Sequence, residues 1–271
     1  MGAIVIGILL VGIGIYCIFF GRKKAAAELL EIQFQETKTI AEAREAVEAM
    51  ADVDPNYREM VELKGFSACD EPPTTPFSRK QVAFYVAETY KVSEETYRQR
   101  DSEGNERMRT VKHEDKLSDE ESGENLILKD NNGDSIIIET NGVSDKLDLQ
   151  KTLDRFQNAD QYHDDFYRNP HRRFREYNVG GGAGYRLLGY KQVEKTFPLN
   201  AAMYALGEVY MNCGQLYLGP PRDTSKPFIV TTKSEEELVK SKKNSAMTNL
   251  VGGIAGIAIG VIFVIIGIAK M

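Results

Sequence analysis

Apolar, charge-free residues gather at the two ends of this chain: residues 3–20 and 250–269 contain no Asp, Glu, Lys or Arg. A helix crossing a hydrocarbon layer of about 30 Å needs about 20 such residues. The second run meets that length outright. The first meets it once Met1 and Gly2 are counted. Both are predicted to be transmembrane helices, over residues 1–21 and 250–269. The first does not read as a cleaved signal peptide. No Lys or Arg precedes Arg22, and no small-x-small site precedes Gly21-Arg22-Lys23-Lys24. These cations follow the first run, Lys240, Lys242 and Lys243 precede the second, and Lys270 alone opposes them. Positive flanks stay inside, so both runs place the intervening segment in the cytoplasm. Glycine also recurs in the runs: Gly252, Gly256 and Gly260 at every fourth residue, Gly7 and Gly14 (then Gly21) at every seventh. Such ridges let helix backbones approach where lipid supplies no hydrophobic drive. These glycines are the helix-packing candidates, within the chain or between copies.

The pattern between the runs changes twice. Residues 25–50 lack Pro and Gly and carry an amphipathic stripe, Leu29, Leu30, Ile32, Phe34, Ile40, Ala43 and Val47. They predict a helical stalk within residues 22–55, with a break around residues 37–39 and a stop at Asp52-Val-Asp-Pro55. From Glu59 the period becomes that of strands. Strands are predicted over residues 60–65, 81–92, 96–100, 106–112, 125–129, 135–140, 185–197, 202–210, 215–218 and 227–232. Asp101-Ser-Glu-Gly-Asn105 and Asp130-Asn-Asn-Gly-Asp134 read as hairpin turns. Short strands with regular turns predict a closed or nearly closed antiparallel sheet, barrel-like or sandwich-like, in one β-rich soluble domain over residues 56–238. The pattern lapses over about 154–184, read as a mobile insertion. Ser234 with Glu237 forms a capping box for a helix that runs through the juxtamembrane residues 239–249 into the second span. The fold class is α+β.

Charge and composition narrow the chemistry. The net charge is −6, and a mildly acidic middle segment argues against a nucleic-acid partner. The three cysteines, Cys17, Cys69 and Cys213, have no zinc-site or disulfide spacing and read as thiols. Asp130–Asp134 resembles a calcium loop but has Asn141 where the bidentate Glu belongs, so it is read as a turn. His163-Asp164-Asp165 with His171 has no register to aim ligands at a metal. Gly180-Gly-Gly-Ala-Gly184 lacks the Lys-Ser/Thr of a phosphate loop. Arg168, Arg172, Arg173 and Arg175 form a basic stretch that reads as a solvated loop or, near a membrane, as a contact for anionic lipid heads. No nucleophile elbow is present. No catalytic, cofactor or metal residue is assigned, and no cofactor is expected.

Several stretches, in order, carry a resemblance: Val61-Glu-Leu-Lys-Gly65, Glu71-Pro72, Thr75-Pro-Phe-Ser78, Val82-Ala-Phe-Tyr85, the Asp130 turn, Gly189 with Glu194, Ala205-Leu-Gly-Glu208, and Lys226-Pro-Phe-Ile-Val230 before Ser234-Glu235-Glu236. Between about Val61 and Leu238 the chain resembles the GIDE-type, or beside-a-membrane, domain of membrane-anchored E3 ubiquitin ligases and their prokaryotic relatives, a family with the same two-span layout. In the eukaryotic ligases a zinc-binding RING follows the second span, whereas this sequence stops at Met271. The resemblance therefore implies a prokaryotic-type member without the RING. Its expected role is a non-enzymatic interaction or scaffolding module that meets the lipid bilayer and a protein partner, or self-associates through its spans. The alternative is a ligase-like component whose catalytic part is another chain.

Overall fold

The computed structural model describes residues 2–21, 29–30, 32–100, 104–123, 125–159 and 184–269. In chain order the helices are α1 (Gly2–Tyr16, extended by a π-wound turn over Cys17–Gly21), α2 (Ile40–Met50) and α3 (Glu235–Ala269). The strands are β1 (Glu59–Ala68), β2 (Phe84–Arg100), β3 (Glu106–Glu121), β4 (Leu126–Lys129), β5 (Ser135–Ile138), β6 (Gln150–Asn158), β7 (Tyr185–Phe197), β8 (Ala202–Asn212), β9 (Gln215–Gly219) and β10 (Ile229–Thr231). Two compact units share the chain. One comprises residues 1–66, 127–148 and 201–271, the other residues 67–126 and 149–200.

The first unit is built on a barrel. β1 pairs with β8 from Glu59↔Val209 to Phe66↔Ala202, and the ring β1-β4-β5-β9-β8 closes back on β1. β5 and β9 run parallel, with Ile137 opposite Tyr217. Numbered in chain order, the five strands follow the order 1-2-3-5-4-1 with the third and fifth parallel. That is the connectivity of an OB-fold barrel. Val61, Leu63, Leu128, Ile136, Ile138, Ala205, Val209 and Leu218 are buried, at alternate positions of their strands. Gly65 is required where β1 bends past β4, because a Cβ there would stand 2.2 Å from the Lys129 carbonyl oxygen. β10 adds to β8 at Ile229↔Leu206. The short helix α2 buries Ile40, Ala43 and Val47, one helical face. Thr39 caps it: its Oγ1 accepts from the Glu42 amide at 3.2 Å, and its own amide donates to Glu42 at 2.7 Å. The stalk is thus interrupted at residues 35–39, where a break was expected.

The second unit is a four-stranded antiparallel sheet, β3-β2-β7-β6. β2 is long enough to pair with β7 as far as Glu95↔Tyr185 and to continue with β3 alone to Arg100↔Glu106. The strands expected over residues 81–92 and 96–100 are therefore one strand. A register shift between Val92 and Ser93, in the pairing with β7, lets it stay continuous. Glu194 on β7 is fully buried and accepts the backbone N–H groups of Phe77 (2.5 Å) and Ser78 (3.0 Å), pinning the loop before β2. Gln150–Asn158 forms β6, a strand with no sequence signal, in the place where the insertion expected from about 154 begins. Residues 160–183 lie outside the described residues.

The α+β class holds, with apolar helices at both ends of a mainly antiparallel β assembly. A closed or nearly closed sheet, barrel-like or sandwich-like, was expected, and the barrel is one. The division of the strands between this barrel and a separate four-stranded sheet was not legible, because alternation reveals a strand's faces but not its neighbours.

Candidate functional site

Two features of the first unit meet on α3: an ionic clasp at its first turn, where it leaves the barrel, and farther along, the seam between the long helices. Both α1 and α3 are long and apolar enough to cross a membrane. They pack antiparallel through glycine. A Cβ at Gly7 would meet the Gly260 carbonyl oxygen at 2.6 Å, and one at Gly14 would meet that of Gly253 at 2.7 Å. The contacts are reciprocal: a Cβ at Gly253 would meet Gly14 at 2.8 Å, and one at Gly260 would meet Gly7 at 2.7 Å. No other side chain fits at these four positions without separating the backbones.

Gly256 sits at the margin, with its nearest contact at 3.6 Å. Gly252 faces nothing within 4 Å and is outside the seam. Of the every-fourth ridge Gly252, Gly256, Gly260, only Gly260 packs closely on α1, and Gly253, unmarked by it, supplies the other close contact. Spacing of seven on both helices keeps one face of each toward the other. At the seam's end a Cβ at Gly21 would stand 3.0 Å from the Asn249 side chain, so the apolar stretches of both helices end at one level.

Beyond that level α3 runs unbroken to Glu235. The cap expected at Ser234 is formed: its amide donates to Glu237 at 3.1 Å, and the Glu237 amide donates to Ser234 Oγ at 3.3 Å. The first turns are held to the barrel by Leu238, buried among Ile32, Tyr204 and Leu206.

Glu62 on β1 organises the polar part. It is 1 % exposed, yet it accepts from Thr37 Oγ1 at 2.5 Å and from the Tyr204 hydroxyl at 2.8 Å, and it pairs with Lys64 Nζ at 2.9 Å. Lys64 also pairs with Glu235 at 2.8 Å, so four segments meet on two side chains of one strand. Burial works to lower the Lys64 ammonium, but its bonds to Glu235 and Glu62 outweigh that and raise it above the usual lysine range. Burial and the carboxylate of Glu62 push the Tyr204 phenol well above its usual range, so it stays a donor. Asp148 adds a second tie, accepting from Thr231 Oγ1 (2.6 Å) and Lys233 Nζ (2.7 Å). Burial would raise its carboxyl, but Lys233 and Thr231 hold it below the usual range.

A hollow of 670 Å³ lies along α3 between barrel and seam, lined by Lys233, Glu237, Lys240, Ser241, Asn244, Ser245, Thr248 and Asn249. A smaller one of 410 Å³ adjoins it, with Glu236, Lys240 and Lys243 on its wall.

Other residues marked by sequence fall elsewhere. Asp130 Oδ1 accepts the amides of Asn132 (2.9 Å) and Asp134 (3.0 Å), so that stretch is a turn between β4 and β5. Arg168, Arg172, Arg173 and Arg175, His163, His171, Arg22, Lys23, Lys24 and Lys270 lie outside the described residues. Among the described residues no group of three His, Cys, Asp or Glu side chains gathers as metal ligands would. Sequence reasoning passed over Glu62 and Lys64 because alternation along β1 marks them as outward positions, which ordinarily face water.

The GIDE family, described as E3 Ubiquitin ligase, matches residues 94–266, well over half of the chain, from the end of β2 through most of the second apolar helix. No curated protein and no solved structure matches the chain.

Proposed function

The chain belongs to the GIDE family, described as E3 ubiquitin ligase, and from that premise we propose that it is a two-pass membrane protein whose barrel and sheet form an interaction module beside the bilayer. In this reading it docks a protein partner and does not itself transfer ubiquitin. The observation that carries the proposal is the construction of α3. One helix serves both as a wall of the glycine seam and as the element clasped by Glu62, Lys64 and Leu238, so the barrel is held at the bilayer surface. The 271 residues contain three Cys and three His, one of the cysteines inside the first apolar helix, where a RING needs about eight ligands around two zinc ions. The flanking Arg22, Lys23, Lys24, Lys240, Lys242 and Lys243 support a cytoplasmic barrel, and the resemblance to prokaryotic relatives supports a prokaryotic plasma membrane.

The family's own description favours one second reading, a ligase component whose catalytic part is another chain. A ubiquitin-transfer assay on the purified full chain, with activating and conjugating enzymes, separates these readings. Transfer without an added RING protein overturns the first. Transfer only when a RING protein is supplied, and lost when the chain is omitted, favours the second. Cross-linking in native membranes addresses the docking role: a heterologous protein captured through the barrel or sheet supports it, and self-contacts alone contradict it.

A further inference from the structure

The polar length of α3 between clasp and seam has more cationic and donor chemistry than the fold itself uses. We infer that it binds the head group of an anionic phospholipid. The inference rests on the membrane reading above.

Charges along α3 are sorted by height. Nearest the barrel, the ions are occupied. Lys64 pairs with Glu62 and Glu235, Lys233 pairs with Asp148, and the Glu237 carboxylate closes the cap on the Ser234 amide. Toward the apolar segment the pattern reverses. Lys240 and Lys243 are exposed and form no ion pair among the described residues. Ser241 stands between them, and below them come only neutral hydrogen-bonding groups, Asn244, Ser245, Thr248 and Asn249, on the wall of the 670 Å³ hollow. An anion approaching from the bilayer meets hydroxyls, amides and two free ammonium groups before it meets a carboxylate. Glu236, on the smaller hollow, stands a turn farther from the bilayer than Lys240.

Height identifies the anion. The apolar run starts at Leu250, and α3 rises about 1.5 Å per residue. Thr248 and Asn249 are thus at the hydrocarbon edge, Asn244 and Ser245 about 8 Å above it, and Lys243 about 10 Å above it. Head groups occupy roughly the first 5–8 Å outside the hydrocarbon, within reach of the Lys243 side chain, roughly 6 Å long, while Lys240, about 15 Å above the edge, faces their outer margin. The level is fixed independently by Gly21 against Asn249, which brings the end of α1 to the same height. A phosphodiester fits this combination of charge and donors.

The test uses the full chain in detergent micelles, offered equimolar phosphatidylglycerol and phosphatidylcholine, with retained lipid counted by native mass spectrometry. Phosphatidylglycerol is expected to be retained about tenfold over phosphatidylcholine. The double variant Lys240→Gln, Lys243→Gln should lose that preference with an unchanged melting temperature, and excess inorganic phosphate should not displace the lipid. Equal retention of the two lipids, an unaltered preference in the double variant, or displacement by inorganic phosphate would each overturn the assignment. Alkaline carbonate extraction of native membranes separates the layers of argument. A chain that is extracted refutes the membrane reading, and with it this site. A chain that stays in the membrane pellet but shows no lipid preference refutes the site alone.

Discussion

Glu62 and Glu194 illustrate two ways of keeping a carboxylate inside a small β assembly. Glu194 is satisfied by backbone amides of its own unit, and Glu62 by a hydroxyl, a phenol and an ammonium. A buried acceptor removed from its donors leaves them unpaired, at roughly 1–3 kcal/mol for each buried donor. Glu62→Ala is therefore expected to cost about 3 kcal/mol. Lys64→Met should cost less, about 1–2 kcal/mol: the Lys64 side chain is 44 % exposed and water screens its pairs, but the Glu62 side chain, 2 % exposed, loses its cation. Melting of the full chain in micelles, followed by tyrosine fluorescence since the chain has no Trp, measures both. Equal losses for the two variants would mean that the ion pairs, and not the Thr37 and Tyr204 bonds, hold the clasp. Neither carboxylate could be read as buried from the sequence. A charged residue at an alternate strand position carries the same pattern whether it faces water or a hydroxyl from a distant segment.

Among the elements, the long helices were readable in length and the strands in place, while partners were not. Tyr185–Phe197 coincides with its prediction, a run of aromatic, aliphatic and β-branched residues bounded by Gly184 before it and Pro198 after it. β6 gave no signal because few of its side chains are even partly covered, so nothing forces apolar alternation. The glycine seam is a subtler case. Adjacent helix positions point about 100° apart, so choosing Gly252 over Gly253 selects a different face. Only the opposing helix identifies the correct one. Gly14→Val or Gly253→Val should force the backbones apart and destabilise the pair by about 1–3 kcal/mol, while Gly252→Val should be neutral within about 0.5 kcal/mol. The readout is the concentration of denaturant that abolishes cross-linking between cysteines introduced on facing positions of α1 and α3. A loss at Gly252 equal to that at Gly14 would contradict the seam described above.

For the whole molecule, strand order was beyond sequence reach because the barrel is interrupted twice. Residues 67–126 separate its first strand from its second, and residues 149–200 its third from its fourth. Ionisation, by contrast, acts on the whole assembly. Asp148 and Glu88 have carboxyls held below their ordinary values of 3.8 and 4.5; burial opposes the shift, but Lys233 with Thr231, and Lys195 with Lys116, outweigh it. A depressed carboxyl contributes stability above its ordinary value and loses it as the pH falls through the folded one. Lys64 and Tyr204 are raised above 10.5 and 10.0, so their contribution is complete below those values and is lost as the pH rises. The melting temperature should therefore be level between about pH 5 and 9, falling below about pH 4 and above about pH 10. Thermal scans across that range check it, and a melting temperature still climbing at about pH 3 would refute the acid arm.

α3 is fastened twice, by its first turn to the barrel and by Gly253 and Gly260 to α1. Glu235 and Gly253 are about five full helical turns apart, so a single face of the rod serves both fastenings. Their phase is therefore shared. Adding or removing one residue between them would turn one fastening about 100° away from the other, and the helix could engage the barrel or α1 but not both. The stretch from Lys240 to Thr248, between the two attachments, tolerates changes of side chain far better than changes of length. In this molecule the spacing of the juxtamembrane segment is itself a structural constant.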